Sequence, residues 1–144
     1  MKNRFVFRVV GNKEVGMGHI YRALTLAHEF SNYEVLFVTD MDNQIAVESI
    51  LKEDYWLGVY SVADVTSQIK SLQPEVVIYD ALDTSCHDVR ELRDSGVVVV
   101  SFEDLGDGSR YTNLTINELF DKPQFEGDHI PVSYTHLTLP TNRE

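Results

Sequence analysis

The chain has 144 residues, of which 43% are hydrophobic and 24% charged, a balance that fits one globular domain and excludes a disordered, collagenous or membrane-spanning polypeptide. Twelve Lys+Arg against 23 Asp+Glu give a formal net charge of -11 with no basic stripe. That excludes sequence-independent binding to nucleic acid or anionic lipid, so any phosphate must be held locally. A single cysteine, Cys86, leaves no intramolecular disulfide, and the hydrophobic start after Met1 is one strand long, too short for a signal peptide. A cytoplasmic protein with no membrane insertion is expected.

In chain order, strands and helices alternate. Phe5 to Val10 is an aromatic and β-branched run interrupted by Arg8, which reads as a buried strand. A glycine-bearing loop follows, and then Ile20, Ala23, Leu24, Ala27 and Phe30 recur at helical spacing, predicting a helix from about His19 to Ser31. Tyr33 to Thr39 reads as the second strand, ending in Asp40. Asn43 to about Asp54 is the expected second helix, with Ile45, Val47, Ile50 and Leu51 on one side. Trp56 to Val62 reads as a third strand, and Asp64 to Leu72 as a short helix capped by Asp64 and stopped by Pro74.

Glu75 to Leu82 contains the burst Val76-Val77-Ile78-Tyr79, typical of a parallel strand covered on both faces. Thr84 or Ser85 can cap the next helix, which turns Val89 and Leu92 inward and closes at Gly96. Val97 to Phe102 is the most hydrophobic strand and runs into Glu103-Asp104. A glycine-rich turn, Leu105 to Gly108, leads to a last short strand, Leu114 to Asn117. Repeated β-α order predicts an α/β, Rossmann-like doubly wound parallel sheet, whose ligands bind beyond the carboxyl ends of the strands. Asp40, Asp80 and Glu103-Asp104 all fall at such ends.

The chemistry centres on the loop Gly11-Asn12-Lys13-Glu14-Val15-Gly16-Met17-Gly18-His19-Ile20-Tyr21-Arg22. Its glycines let the backbone approach a ligand closely, and the N–H groups of the following helix end form an anion site. His19 and Arg22, three residues apart, share one helical face. A dinucleotide fingerprint fails because Tyr21 falls where the third glycine should allow close packing, and a P-loop fails because no Gly-Lys-Ser/Thr follows. His19, His28, His87 and His129 are dispersed, and Cys86-His87 are neighbours that a helix points apart, so no metal site is expected.

What the loop does match is Gly16-Met17-Gly18-His19-Ile20-Tyr21-Arg22-Ala23-Leu24, with Leu26-Ala27 behind it. This resembles the Gly-x-Gly-His-x-x-Arg signature of the UDP-sugar hydrolases of the pseudaminic acid pathway, relatives of the spore-coat polysaccharide proteins. The resemblance spans roughly Arg4 to Phe120 and recurs at Pro74 to Asp80, at Phe102-Glu103-Asp104 and at Leu114 to Asn117. It implies the amino-terminal half of a two-domain, glycosyltransferase-B-like fold. The activity it implies is release of UDP from UDP-2,4-diacetamido-2,4,6-trideoxy-β-L-altropyranose in surface-polysaccharide biosynthesis, with no cofactor or metal. The chain differs from the family at Ala81-Leu82, where an aromatic usually follows the acid, and at Glu103-Asp104, where paired aspartates are usual.

On that resemblance His19 falls on the catalytic histidine, the general base for an attacking water, and Asp80 on a catalytic acidic position facing the same cleft, with Asp80 or Glu103 as the acid partner of His19. An imidazole titrates near pH ~6.5, and a helix N-terminus disfavours its cation, which suits a base at neutral pH. Gly16, Met17, Gly18 and Arg22 would meet the diphosphate, and Glu103 and Asp104 would face the substrate. A glycosyltransferase of the same fold, or a non-catalytic sugar-nucleotide-binding module, is the alternative.

The stretch Val132 to Thr141 has neither helical nor strand periodicity and resembles one reading frame of a transposon-end adapter used in sequencing libraries. Residues 1–130 are therefore expected to be native and 131–144 a non-native tail. The expected partners are a UDP-sugar and a missing carboxy-terminal domain of the same chain, without which the 144-residue chain is expected to fold but not to turn over.

Overall fold

A computed structural model describes residues 3–11, 18–51, 55–81, 83–117 and 129–131, with Gly18, His19, Ala46, Ser49, Ile50, Leu51, Asn117 and residues 129–131 entering through their backbone alone. Strands β1 (Arg4–Val9), β2 (Glu34–Asp40), β3 (Trp56–Tyr60), β4 (Val76–Asp80), β5 (Val98–Phe102), β6 (Leu114–Asn117) and β7 (His129–Pro131) form one sheet in the order β3-β2-β1-β4-β5-β6-β7. Every neighbouring pair is parallel. Helices α1 (Gly18–Glu29), α2 (Gln44–Leu51), α3 (Val65–Ser71) and α4 (Cys86–Asp94) make the connections. This is the doubly wound α/β fold that alternating β-α order predicts.

Strand alternation divides the core in two. Phe7, Val9, Phe37, Ile78 and Phe102 pack with Ile20, Ala23 and Ala27 of α1 and Val47 of α2. Val6, Val38, Val77, Tyr79 and Val99 pack on the other face with Val65 and Ile69 of α3 and Val89 and Leu92 of α4. Because side chains at successive strand positions point to opposite faces, a strand covered on both is largely apolar, which explains the apolar runs of β1, broken by Arg8, and of β4 and β5.

Several boundaries and contacts depart from expectation. Ile45 is 85% exposed while Val47 is fully buried. Residues two apart on a helix point to different faces, so Ile45 does not join Val47 on the buried side as expected. Asp64 does stand at the N-cap of α3, but its side chain makes no capping bond; it accepts from Ser61 Oγ at 2.8 Å instead. Ser85 is the cap of α4, taking the Asp88 N–H at 3.2 Å, and Thr84 is committed elsewhere. The third strand stops at Tyr60, since a 3-10 turn begins at Val62. β7 answers to no predicted strand: three residues are too short for alternation to register. It straddles the proposed boundary at residue 130, while residues 132–144 lie outside the described ones.

Two glycines show different constraints. Gly96 adopts φ 89 just after α4, with open space where a Cβ would go. At Gly108 an added Cβ would overlap Thr84 Oγ1 and approach Ser85 O to 2.7 Å. Gly108→Ala should therefore lower the unfolding free energy by about 1–3 kcal/mol through overpacking. Gly96→Ala should lower it by about 1 kcal/mol through backbone strain alone. Urea denaturation of the two variants measures both.

Candidate functional site

In the sheet order β1 lies between β2 and β4, and the direction of winding reverses between β1 and β4. Ligands of doubly wound sheets bind in the crevice beyond the strand ends at that reversal. Three strand termini converge there, Val9 of β1, Asp80 of β4 and Phe102 of β5. α1 begins beside them at Gly18 and carries His19 in its first turn.

Arg22 leans from α1 onto the strand ends. Its Nε and Nη2 donate to Asp80 Oδ2 and Oδ1 at 2.8 and 2.6 Å, a bidentate fork, and Nη1 reaches Glu103 Oε2 at 3.4 Å. The guanidinium also lies 4.6 Å from the centroid of the Phe102 ring. Asp80 is fully buried and Glu103 is 2% exposed. A buried carboxylate is tolerated only when paired and hydrogen-bonded, and a planar guanidinium supplies both at once.

Glu103 reaches this cluster through an uncommon backbone. Val100 and Phe102 face α1, so regular alternation would send Glu103 to the opposite face. Its φ of 52 breaks the alternation, and its N–H is tied to Ile116 O at 2.9 Å. A left-handed conformation at a non-glycine residue costs about 1 kcal/mol or more. The Arg22 contact and the buried position offset that cost.

Of the residues singled out in the sequence, Arg22, Asp80 and Glu103 are thus brought together, one cation against two carboxylates. Asp104 is not among them. Its Oδ1 accepts the Thr84 and Gly106 N–H groups at 2.9 and 3.0 Å, and its Oδ2 accepts Thr84 Oγ1 at 2.6 Å. Fully buried, it ties the loop after β5 to the loop after β4. Gly16 and Met17 lie outside the described residues, as do Lys13 and Glu14.

A second charged cluster sits beside the first. Arg8 of β1 donates Nη2 to Asp40 Oδ2 at 2.8 Å and Nη1 to Val9 O at 2.9 Å. Asp40 Oδ1 takes the Asp42 and Asn43 N–H groups and Asn43 Nδ2 at 2.9, 3.1 and 2.8 Å. Asn43 Oδ1 in turn receives the N–H of Gly11 at 3.3 Å, so the start of the glycine loop is anchored to the start of α2. Burial alone pushes the Asp40 carboxyl up, but the Asn43 and Arg8 hydrogen bonds, the Arg8 charge and the Asp42 N–H outweigh it and hold the group below its usual range. The signal for this cluster was an arginine inside an apolar strand together with an aspartate ending the next one.

Farther along, on α4, His87, Asp88 and Glu91 bring one potential ligand atom each within 4.8 Å of one another, with His87 exposed. Lys70 Nζ already stands 3.5 Å from Glu91 Oε2, a cation serving that charge.

No family model matches the chain. It is 28% identical over 116 residues to an uncharacterised protein of the archaeon Methanocaldococcus jannaschii, an alignment covering 76% of this chain and 23% of that protein. The chain therefore spans about a quarter of the length of the relative it matches. Among the described residues, no helix is long and apolar enough to cross a membrane.

Arg22→Ala leaves Asp80 buried beside an absent partner and should cost about 3–5 kcal/mol of stability, whereas Arg22→Lys, which keeps charge but loses the fork, should cost less. Chemical denaturation at neutral pH separates them. Asp40 supplies a pH signature. Its folded-state pKa is depressed from 3.8, so its stabilisation is complete above that value and is lost as pH falls through the lower folded one. Asp40→Asn should be less stable at neutral pH and show a shallower further loss on acidification below about pH 4. Thermal melts across that range report the difference.

Proposed function

We propose that this chain is the amino-terminal catalytic half of a UDP-sugar hydrolase acting in nonulosonic acid or surface-polysaccharide biosynthesis. The observation that carries the reading is the convergence of Arg22, Asp80 and Glu103 with the first turn of α1 at the reversal of the sheet. Three separate motifs of the hydrolase resemblance meet at that point. A chance resemblance of scattered segments would not require their side chains to touch.

In this reading His19 takes a proton from water as the water oxygen attacks the sugar, and the bond from sugar to diphosphate breaks to release UDP. Arg22 has a different role from the diphosphate clamp suggested by its charge. Two carboxylates already neutralise it, so it is a positioning residue that fixes the helix turn carrying His19. The diphosphate is then met by backbone N–H groups at the helix start, which carry partial positive charge. The nucleotide grip belongs to a second domain. A sugar-nucleotide glycosyltransferase sharing the fold, or a non-catalytic sugar-nucleotide-binding module, is the alternative.

The test is UDP release from a panel of UDP-sugars by the complete two-domain protein. His19→Ala should lower kcat by about 100-fold or more, the scale of a lost general base, with little change in KM. Unchanged turnover in that variant excludes the His19 role, and transfer to an acceptor in preference to water identifies a glycosyltransferase. UDP-sugar binding by the complete protein without turnover identifies a binding module. Arg22→Lys should lower kcat without the pH profile moving, as expected for a residue that positions the base.

A further inference from the structure

On the α3/α4 face of the sheet, opposite Arg22, a cleft of about 180 Å³ opens between the start of α3, the end of β4 and the start of α4. Arg8, Thr66, Tyr79, Thr84, Ser85 and Asp88 are among its lining residues. Tyr79 is 6% exposed, and its hydroxyl, with the Thr66 side chain beside it, meets no partner at full hydrogen-bond geometry among the described residues. Buried hydroxyls are nearly always bonded, and leaving one unpaired is unfavourable, so an isolated one on the wall of a cleft marks a place where something else completes it.

The charges around the cleft narrow what that is. Arg8 is already matched by Asp40 and by Val9 O. Asp83 and Asp88 also line the cleft, so a phosphate or carboxylate would face two like charges. A cation would face Arg8. The Tyr79 hydroxyl stays protonated, since burial first and the Asp88 charge second push its ionisation well above the ordinary phenol range. Hydroxyl side chains, a neutral phenol and carboxylates that accept hydrogen bonds are complementary to an uncharged, hydroxyl-rich group. The volume corresponds to about six waters, room for one pyranose ring.

We propose that this cleft is a second small-molecule site, taking an uncharged polyhydroxyl group of single-pyranose size, with the Tyr79 hydroxyl as its buried hydrogen-bonding group. All the groups involved lie on the α3/α4 side, so binding there does not depend on the chemistry assigned to His19.

Ligand-observed NMR on the 144-residue chain, with D-glucose, D-galactose and N-acetyl-D-glucosamine as probes and glucose 6-phosphate as the charged comparator, tests this. At least one neutral sugar should show saturable binding, and the phosphate should bind more weakly. Tyr79→Phe, which keeps the ring and removes the hydroxyl, should weaken that binding by about tenfold while leaving the melting temperature unchanged or higher. Thr66→Val, on the facing helix, should also weaken it. His19→Ala should leave it intact, which separates this site from the hydrolase reading. Absence of saturable binding by all three neutral sugars overturns the proposal. So does binding that Tyr79→Phe and Thr66→Val leave unchanged, or tighter binding of the phosphate.

Discussion

The fork between Arg22 and Asp80 is the interaction around which the site is built. It joins a helix to the strand at the centre of the sheet through two hydrogen bonds at 2.8 and 2.6 Å, with the carboxylate removed from solvent. A buried carboxylate without its cation is strongly unfavourable, so the pairing fixes where the first turn of α1 sits relative to β4. Glu103 extends the same constraint to β5, and Phe102 gives the guanidinium an aromatic surface to lie on. One arginine thereby ties two strand ends, those of β4 and β5, to one helix start.

The second organising fact is the two-residue period of the strands. Asp80 faces α1 while Tyr79, its neighbour, faces α3 and α4; Val9 and Arg8 divide in the same way. Adjacent residues at the end of one strand therefore serve two environments on opposite faces of the sheet. One is a compact charge cluster beside α1. The other is a polar cleft with an unsatisfied phenol. Between them the Arg8, Asp40, Asn43 and Gly11 chain of hydrogen bonds holds the β1 end, the β2 end and the root of the loop in fixed relation.

The electrostatics also change the meaning of individual residues. Arg22, a cation near a helix start, is paired in the fold with the buried Asp80 and Glu103. Asp104 looks from the sequence like a partner of Glu103 at a strand end. In the fold it satisfies Thr84 and Gly106 and closes the loops beneath α4, and the lack of a side chain at Gly108 lets those loops approach. Adjacent acids thus take unrelated work, because the left-handed turn at Glu103 sends one toward α1.

The order of strands and helices and the doubly wound class were legible in the sequence, since hydrophobic period and capping residues act over a few neighbouring positions. Ser85 and Gly96 acted as those local rules require. Ile45 faces solvent while Val47 is buried, since two residues of helix turn a side chain to another face. The pairing of Arg22 with an acid 58 positions away was beyond local reading, as were the left-handed Glu103, the three-residue β7 and the stranded hydroxyl of Tyr79. Those depend on which strands become neighbours and in what register, and only the assembled sheet decides that.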